Sequence, residues 1–263
     1  MTFQLAGQGA EIYEDVMVPL WFGRWADAML ETVAPQPGDR LLDVACGTGV
    51  TTRLAQDKVG HSGHVVGLDI NAPMLAKARE LAGARDITWI ESDVTDSGLP
   101  DGSFDLIISQ HGYHYFPDKP AALAEFRRLL APGGRLFYSI WDGHSPYTQA
   151  LCTAVAAHIS PEIAAKQRAQ RETQTAAELT TQAVAAGFAQ VAVHRQELQI
   201  DVPMAEEFVP LHLGSMPIAD AFLALDTDQQ QALARQVQTA LAGYVTQGRM
   251  CYPDAVHLVS AQL

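Results

Sequence analysis

The stretch LLDVACGTGV (Leu41–Val50) sets an apolar run directly against a loop with two glycines. LLDVA (Leu41–Ala45) reads as a short buried strand, and the residues after the loop, TTRLAQD, carry a helical pattern. A glycine-bearing turn between a strand and a helix is where open parallel sheets bind nucleotide-like ligands. Gly47 and Gly49 let the chain turn sharply and let a ligand approach the backbone without meeting a Cβ. The dinucleotide fingerprint G-x-G-x-x-G is incomplete, because Thr52 stands where its third glycine belongs. Asp43 adds a carboxylate just ahead of the loop. It would repel a pyrophosphate and attract a ligand that carries positive charge.

Outward from this loop, four more runs read as strands: HVVGLD (His64–Asp69), ITWIESD (Ile87–Asp93), FDLIIS (Phe104–Ser109) and RLFYSIW (Arg135–Trp141). Helical patterns alternate with them in APMLAKARELAG and DKPAALAEFRRLLAPGG. In the second, Asp118 is expected to cap the start and Leu123, Phe126 and Leu130 to share a face, with Pro132-Gly133-Gly134 as the stop. This alternation predicts an α/β fold, a mostly parallel sheet with helices on both faces. Ahead of the block, EIYEDVMVPLWFGRWADAMLETV (Glu11–Val33) sets bulky residues at helical spacing. Behind it come a long Ala/Gln-rich helical stretch, a turn and strand in GFAQVAVHRQELQI (Gly187–Ile200), further helices, and a closing strand, DAVHLVSAQL.

Composition narrows the class. The chain has 263 residues, 48% hydrophobic and 18% charged, which suits one large packed domain. Its net charge of −13, with scattered Lys and Arg, lacks the basic stripe that a nucleic-acid partner requires, so a small molecule is the expected partner. Cys46, Cys152 and Cys251 have neither CxxC spacing nor an even count, which fits a reducing cytoplasm. The N-terminal residues show no signal-peptide pattern, and no apolar run is long enough to span a bilayer.

Together, LLDVACGTGVTTRLA and the acids that close successive strands resemble the class I S-adenosylmethionine-dependent methyltransferases. The similarity is to the small-molecule enzymes of the ubiquinone and menaquinone biosynthesis type. The resemblance implies a Rossmann-like, doubly wound, seven-stranded sheet in the order 3-2-1-4-5-7-6, with one antiparallel strand and a helical cap over the active site. It implies a single domain over 1–263: an N-terminal helical cap at 1–35, a cofactor-binding half at 36–141, and a C-terminal half at 142–263 with a helical insert around 201–247. Its cofactor is S-adenosylmethionine, released as S-adenosylhomocysteine. Asp43, Ala45, Gly47 and Gly49 would line the methionine part. Asp69 would accept both ribose hydroxyls, with Ile70 and Met74 against the adenine. Asp93 would accept from the adenine amino group, with the Val94 amide beside it, and Gln110 would close the site.

The expected reaction is methyl transfer to an O, C or N nucleophile of a small metabolite. Such a step needs positioning, exclusion of water and, for some nucleophiles, a general base. SQHGYHYFPD (Ser109–Asp118) supplies His111 as first candidate base and His114 as second, with His144 third. Each of these histidines also has the plainer reading of a solvated or backbone-bonded loop residue. Tyr13, Trp21, Phe22, Trp141 and Tyr147 are the expected substrate walls, with Trp25, His212 and Met216 as further candidates. Aromatics at that spacing also serve as core. No metal site is expected, and the chain is read as a monomer or homodimer. Two rivals stand beside methyl transfer: a cyclase or binding protein that retains the cofactor on the same fold, and a nicotinamide-dependent oxidoreductase. Thr52 and Asp43 disfavour the second.

Overall fold

The computed structural model describes residues 9–263. The first eight residues of the expected N-terminal cap, and the signal-peptide reading at that end, lie outside the described residues. Eight strands form one sheet: β1 (Arg40–Val44), β2 (His64–Asp69), β3 (Ile87–Glu91), β4 (Phe104–Gln110), β5 (Leu130–Trp141), β6 (Ala189–Val202), β7 (Val245–Thr246) and β8 (Arg249–Gln262). Their order is β3-β2-β1-β4-β5-β8-β6, with β7 paired to β8 off this path. Neighbours from β3 to β5 run parallel, and β8 runs antiparallel to both β5 and β6.

The seven strands of the path keep the expected order and the single reversed strand. The eighth, β7, is a two-residue arm that turns back into β8 through Gln247 (φ 52°) and Gly248 (φ 74°). Two left-handed residues between paired strands make the tight hairpin turn that matches sheet twist.

Helices cover both faces. They are α1 (Gly9–Ile12), a π-helical run at Tyr13–Phe22, α2 (Gly23–Val33), α3 (Val50–Val59), α4 (Ala72–Leu81), α5 (Lys119–Leu129), α6 (Pro146–His158) and α7 (Pro161–Ala169). α8 (Ala176–Ala185), α9 (Ala205–Gly214), α10 (Ala219–Leu223) and α11 (Thr227–Ala240) complete the set. In the π-helical run Pro19 removes one backbone donor. The wider ladder around it is closed by the Gly23 N–H, which donates to Val18 O. A Cβ on Gly23 would lie 2.7 Å from that same oxygen, so the junction requires glycine.

Asp118 caps α5 as expected, accepting from the Ala121 N–H at 2.9 Å. The helix ends earlier than the Pro-Gly-Gly signal implies. Leu130 is extended (φ −74°, ψ 136°) and opens β5, so it packs from a strand and not from the helix face. The Ala/Gln-rich stretch divides into α6, α7 and α8. Ser160 and Thr175 supply the caps that restart the helix, each ahead of a glutamate in the new first turn.

Alternation along β1 divides the core. Leu41 packs with Leu30 and Val33 of α2 and Val59 of α3, while Leu42 faces Leu123 and Phe126 of α5 on the other side. A third cluster sits toward the carboxyl edge of the sheet. There Trp21 and Trp25 meet Trp141 and Tyr147 together with Phe208, Leu213, Leu233 and Tyr252. That cluster holds the N-terminal helices and α9–α11 together over the ends of the strands. No helix among the described residues is long and apolar enough to cross a membrane.

Candidate active site

A cavity of about 260 Å³ runs across the carboxyl ends of β1, β2, β4 and β5, beneath the Tyr13–Phe22 run and α9. At its first end the loop after β1 crosses into left-handed backbone at Ala45 (φ 57°), Gly47 (φ 57°) and Gly49 (φ 78°). The two glycines are needed for different reasons. Gly47 lines the cavity, and a Cβ there would meet nothing within 4 Å and would project into open space. A Cβ on Gly49 would sit 2.4 Å from Trp89 Cη2, so this glycine admits an indole from β3 and is not part of the wall.

Asp43 also stands behind the wall. It is 1% exposed and accepts from Thr52 Oγ1 at 2.6 Å. Burial pushes its carboxyl up to about 7, a rise opposed by the Thr52 bond and reinforced by Asp69. Thr52, the residue that breaks the dinucleotide fingerprint, is therefore the hydroxyl that satisfies Asp43. Of the four residues expected at the methionine end, Ala45 and Gly47 reach the cavity, while Asp43 and Gly49 support the loop from behind.

Asp69, closing β2, is fixed in the wall by two backbone donors. The Gly47 N–H meets its Oδ2 at 2.7 Å and the Asn71 N–H its Oδ1 at 2.8 Å. Those bonds orient the carboxylate and leave lone pairs on both oxygens. Asn71 then caps α4 through the Met74 N–H. Ile70 is 47% exposed at the cavity, and Met74 lies buried close behind it. Asp93 caps a short turn, taking the Thr95 N–H at 2.8 Å and Thr95 Oγ1 at 2.6 Å on one oxygen, and Val94 lies beside it in the wall. Gln110 ties strand to cap: its Nε2 donates to Phe22 O at 2.9 Å, and its Oε1 accepts from Thr51.

The other end is aromatic. His111 holds a left-handed backbone (φ 54°) and stacks on Trp141, with centroids 3.9 Å apart and planes 10° from parallel. Its two ring nitrogens are enclosed and have no hydrogen-bond partner among the described residues. Burial, then His114 and Arg171, holds its pKa well below the ordinary histidine range, so the ring is neutral. Tyr13, Trp21, Phe22 and Trp141 all line this end.

Four expectations move. His114 is not in this wall. It faces a separate cavity of about 130 Å³ with Lys166 and Gln174, because the one-turn helix at Tyr113–Tyr115 directs it away from His111. Its pKa is lowered to about 3, by burial first and then by Lys119 and Arg171. Tyr147 is fully buried one layer behind, its Oη 2.8 Å from His212 Nδ1, and His212 takes the wall position. His144 pairs with Arg168 O outside the cavity, whereas Met216 does line it. Trp25 sits in the core and meets the site edge-on through His111 and Trp141.

Arg171 is the wall residue that the sequence left unmarked. Its guanidinium lies 3.8 Å from the Trp141 ring centroid, close to the ring that His111 also stacks on. It pairs with Asp254 through two bonds of 2.7 and 2.9 Å, and Trp21 Nε1 donates to Asp254 at 3.1 Å. The partners are 83 positions apart, so no local pattern joins them. The signal available was an aspartate interrupting a strand and a single arginine between helix caps. The result is an aromatic chamber continuous with the loop end of the same cavity.

A family described as a methyltransferase domain matches residues 42–138. A 2-phytyl-1,4-naphtoquinone methyltransferase of Synechococcus elongatus is 36% identical over 154 residues, covering 56% of this chain and 65% of that protein. A nocamycin O-methyltransferase of Saccharothrix syringae is 38% identical over 130 residues, covering 48% and 46%. The chain thus spans less than two thirds of the length of these curated relatives. Among solved structures, phosphoethanolamine N-methyltransferase 2 of Haemonchus contortus, in complex with phosphomonomethylethanolamine and S-adenosylhomocysteine, superposes with a TM-score of 0.63 at 19% identity. That match covers 97% of this chain and 57% of that one, a likeness of fold.

Proposed function

We propose, from the premise that residues 42–138 match a methyltransferase domain, that this chain is of the class I, S-adenosylmethionine-dependent kind and transfers a methyl group from S-adenosylmethionine to an O, C or N nucleophile of a small metabolite. The observation that carries the reading is Asp69. Its carboxylate is held at the cavity wall by the Gly47 and Asn71 amides, next to open space at Gly47 and the half-exposed Ile70. These residues fit an adenosyl ligand. Asp69 offers two oxygens to neighbouring ribose hydroxyls, Ile70 and Met74 an apolar face to a flat base, and Asp93 an acceptor to its amino group. When bound, the cofactor supplies an electrophilic methyl group on a sulfonium. The chain's own work is then to orient the nucleophile, exclude water with Trp21, Phe22 and Trp141, and receive a proton where the nucleophile carries one. His111 is the first candidate for that proton, being neutral, in the wall and unpartnered. His114, in the separate cavity, ranks behind it.

We read the chain as one unit, with the described part of the N-terminal cap, 9–35, and the 201–247 insert closing over the 36–141 half. The three free cysteines suit a reducing cytoplasm. Calorimetry with S-adenosylhomocysteine and NAD(H) tests the reading. Binding of the first is expected, and Asp69→Ala should weaken it at least tenfold, since a charge-assisted acceptor is lost. Binding of NAD(H) alone would overturn the proposal. The cyclase rival is separated by turnover: product formed without release of S-adenosylhomocysteine would favour it.

A further inference from the structure

Three histidines lie in or beside the two cavities, and one of them has its proton position dictated by the fold. His212, on α9, lines the main cavity while its Nδ1 meets Tyr147 Oη at 2.8 Å. Tyr147 is fully buried, and this is the one hydrogen bond of its hydroxyl among the described residues. Two arrangements satisfy the contact. If Nδ1–H donates to the tyrosine oxygen, the phenolic proton is left buried with no acceptor, which is the costly case. If Tyr147 donates to Nδ1, every group is satisfied and the remaining proton of the neutral ring sits on Nε2. His212 Nε2 has no hydrogen-bond partner among the described residues and, unlike both His111 nitrogens, is not among the enclosed unpartnered atoms. Stacking on Phe208 (5.7 Å) and the edge of Trp21 (5.4 Å) hold the ring in place. Burial keeps it uncharged, with its pKa lowered to about 3.

We propose that Tyr147 locks His212 in the Nε2–H tautomer, so that His212 is a hydrogen-bond donor that selects substrates bearing an acceptor oxygen, a carbonyl or an oxyanion, in the aromatic chamber. This rests on the methyl-transfer reading and deepens it by naming the substrate class. Donor and base are then divided between two neutral imidazoles: His212 holds an oxygen, and His111 is left to take a proton. Other wall residues, such as Gln170, can also donate an N–H. Arg171, held by the buried Asp254, offers N–H donors as well; His212 differs in being a neutral donor whose protonated nitrogen is set by Tyr147.

The tautomer is read directly by long-range ¹⁵N–¹H correlation of the whole chain. Wild type should show His212 protonated at Nε2 with an acceptor-type Nδ1, and Tyr147→Phe should shift ring population toward Nδ1–H. Binding is read with the probes 1-tetralone, which carries one ketone acceptor, and tetralin, its hydrocarbon counterpart, each in the presence of S-adenosylhomocysteine. The ketone should be preferred about tenfold, as one net hydrogen bond in a dry pocket allows. His212→Phe should reduce that preference to about twofold or less, with S-adenosylhomocysteine affinity unchanged. The double variant Tyr147→Phe/His212→Phe leaves no orphaned hydroxyl and serves as the folded control. Protonation at Nδ1 in wild type, or an undiminished ketone preference in either His212 variant, overturns the proposal. Failure of S-adenosylhomocysteine to bind wild type would sink the methyl-transfer reading instead, and the tautomer measurement would still decide this one.

Discussion

Replacing Arg171 with methionine keeps most of the side-chain volume and removes the charge that faces Asp254. Both partners are nearly sealed, with side chains 6% and 1% exposed, and their two bonds measure 2.7 and 2.9 Å. Removing one member strands a buried carboxylate whose remaining side-chain donor is Trp21 Nε1. The expected loss is about 3–5 kcal/mol, with up to about 2 kcal/mol more from the cation–π contact with Trp141. Removing both charges should cost far less. In Arg171→Met/Asp254→Asn the amide oxygen still accepts from Trp21, and no ion is left in a dry site. At least half of the loss should return, a coupling of about 2 kcal/mol or more. Urea titrations of wild type, both single variants and the double variant measure the cycle, and a midpoint shift of about 1 M or more is expected for Arg171→Met. A loss below about 1 kcal/mol, or a double variant no more stable than Arg171→Met, would refute the claim that this pair acts as a sealed unit.

The two loop glycines should separate by assay. Gly49→Ala drives a Cβ into Trp89 in left-handed backbone and should destabilise by about 2 kcal/mol or more, read by thermal unfolding. Gly47→Ala meets open space and should cost only about 1 kcal/mol while weakening S-adenosylhomocysteine binding. Equal stability losses would contradict that division. Stability against pH carries opposed contributions, with His111, His114 and His212 on one side and Asp43 on the other. His212 has its pKa lowered from 6.5 to about 3, so its contribution is full above 6.5 and is lost as pH falls; between pH 7 and 5 this amounts to about 2 kcal/mol. Asp43 has its pKa raised from 3.8 to about 7, so its contribution is full at low pH and is lost as pH rises through 7. Over the same interval it returns a similar amount, about 2 kcal/mol. Asp43→Asn should therefore steepen the loss of stability on acidification, and an unchanged slope in denaturant titrations at pH 5 and 7 would show that Asp43 is ionised throughout. His111→Ala should lower kcat by about 10²–10⁴ if the imidazole takes the proton, and full turnover at saturating substrate would remove it from that role.

What the sequence determined by itself is the order of the sheet and the place of its glycine-bearing loop. Hydrophobic period and turn chemistry are local, so the LLDVACGTGV turn, Asp69 at the end of β2 and the Asp118 cap were legible from spacing, whereas β3 stops at Glu91, two residues short of Asp93. Local pattern could not say which polar groups face the ligand. Asp43 and Gly49 lie within a few residues of Gly47, yet one is consumed by Thr52 and the other by Trp89, since an indole from β3 and a hydroxyl from α3 reach them first. The aromatic chamber depended still more on the tertiary structure. It joins Trp21, His111, Trp141, Arg171, His212 and Asp254, from six separate segments. The pairing of Arg171 with Asp254, and of Tyr147 with His212, becomes visible only when helices distant in sequence are laid over the same strand ends. Burial then decides the chemistry, because whether an imidazole or a carboxylate carries charge depends on the solvent and the partners that only the folded chain can withdraw or supply.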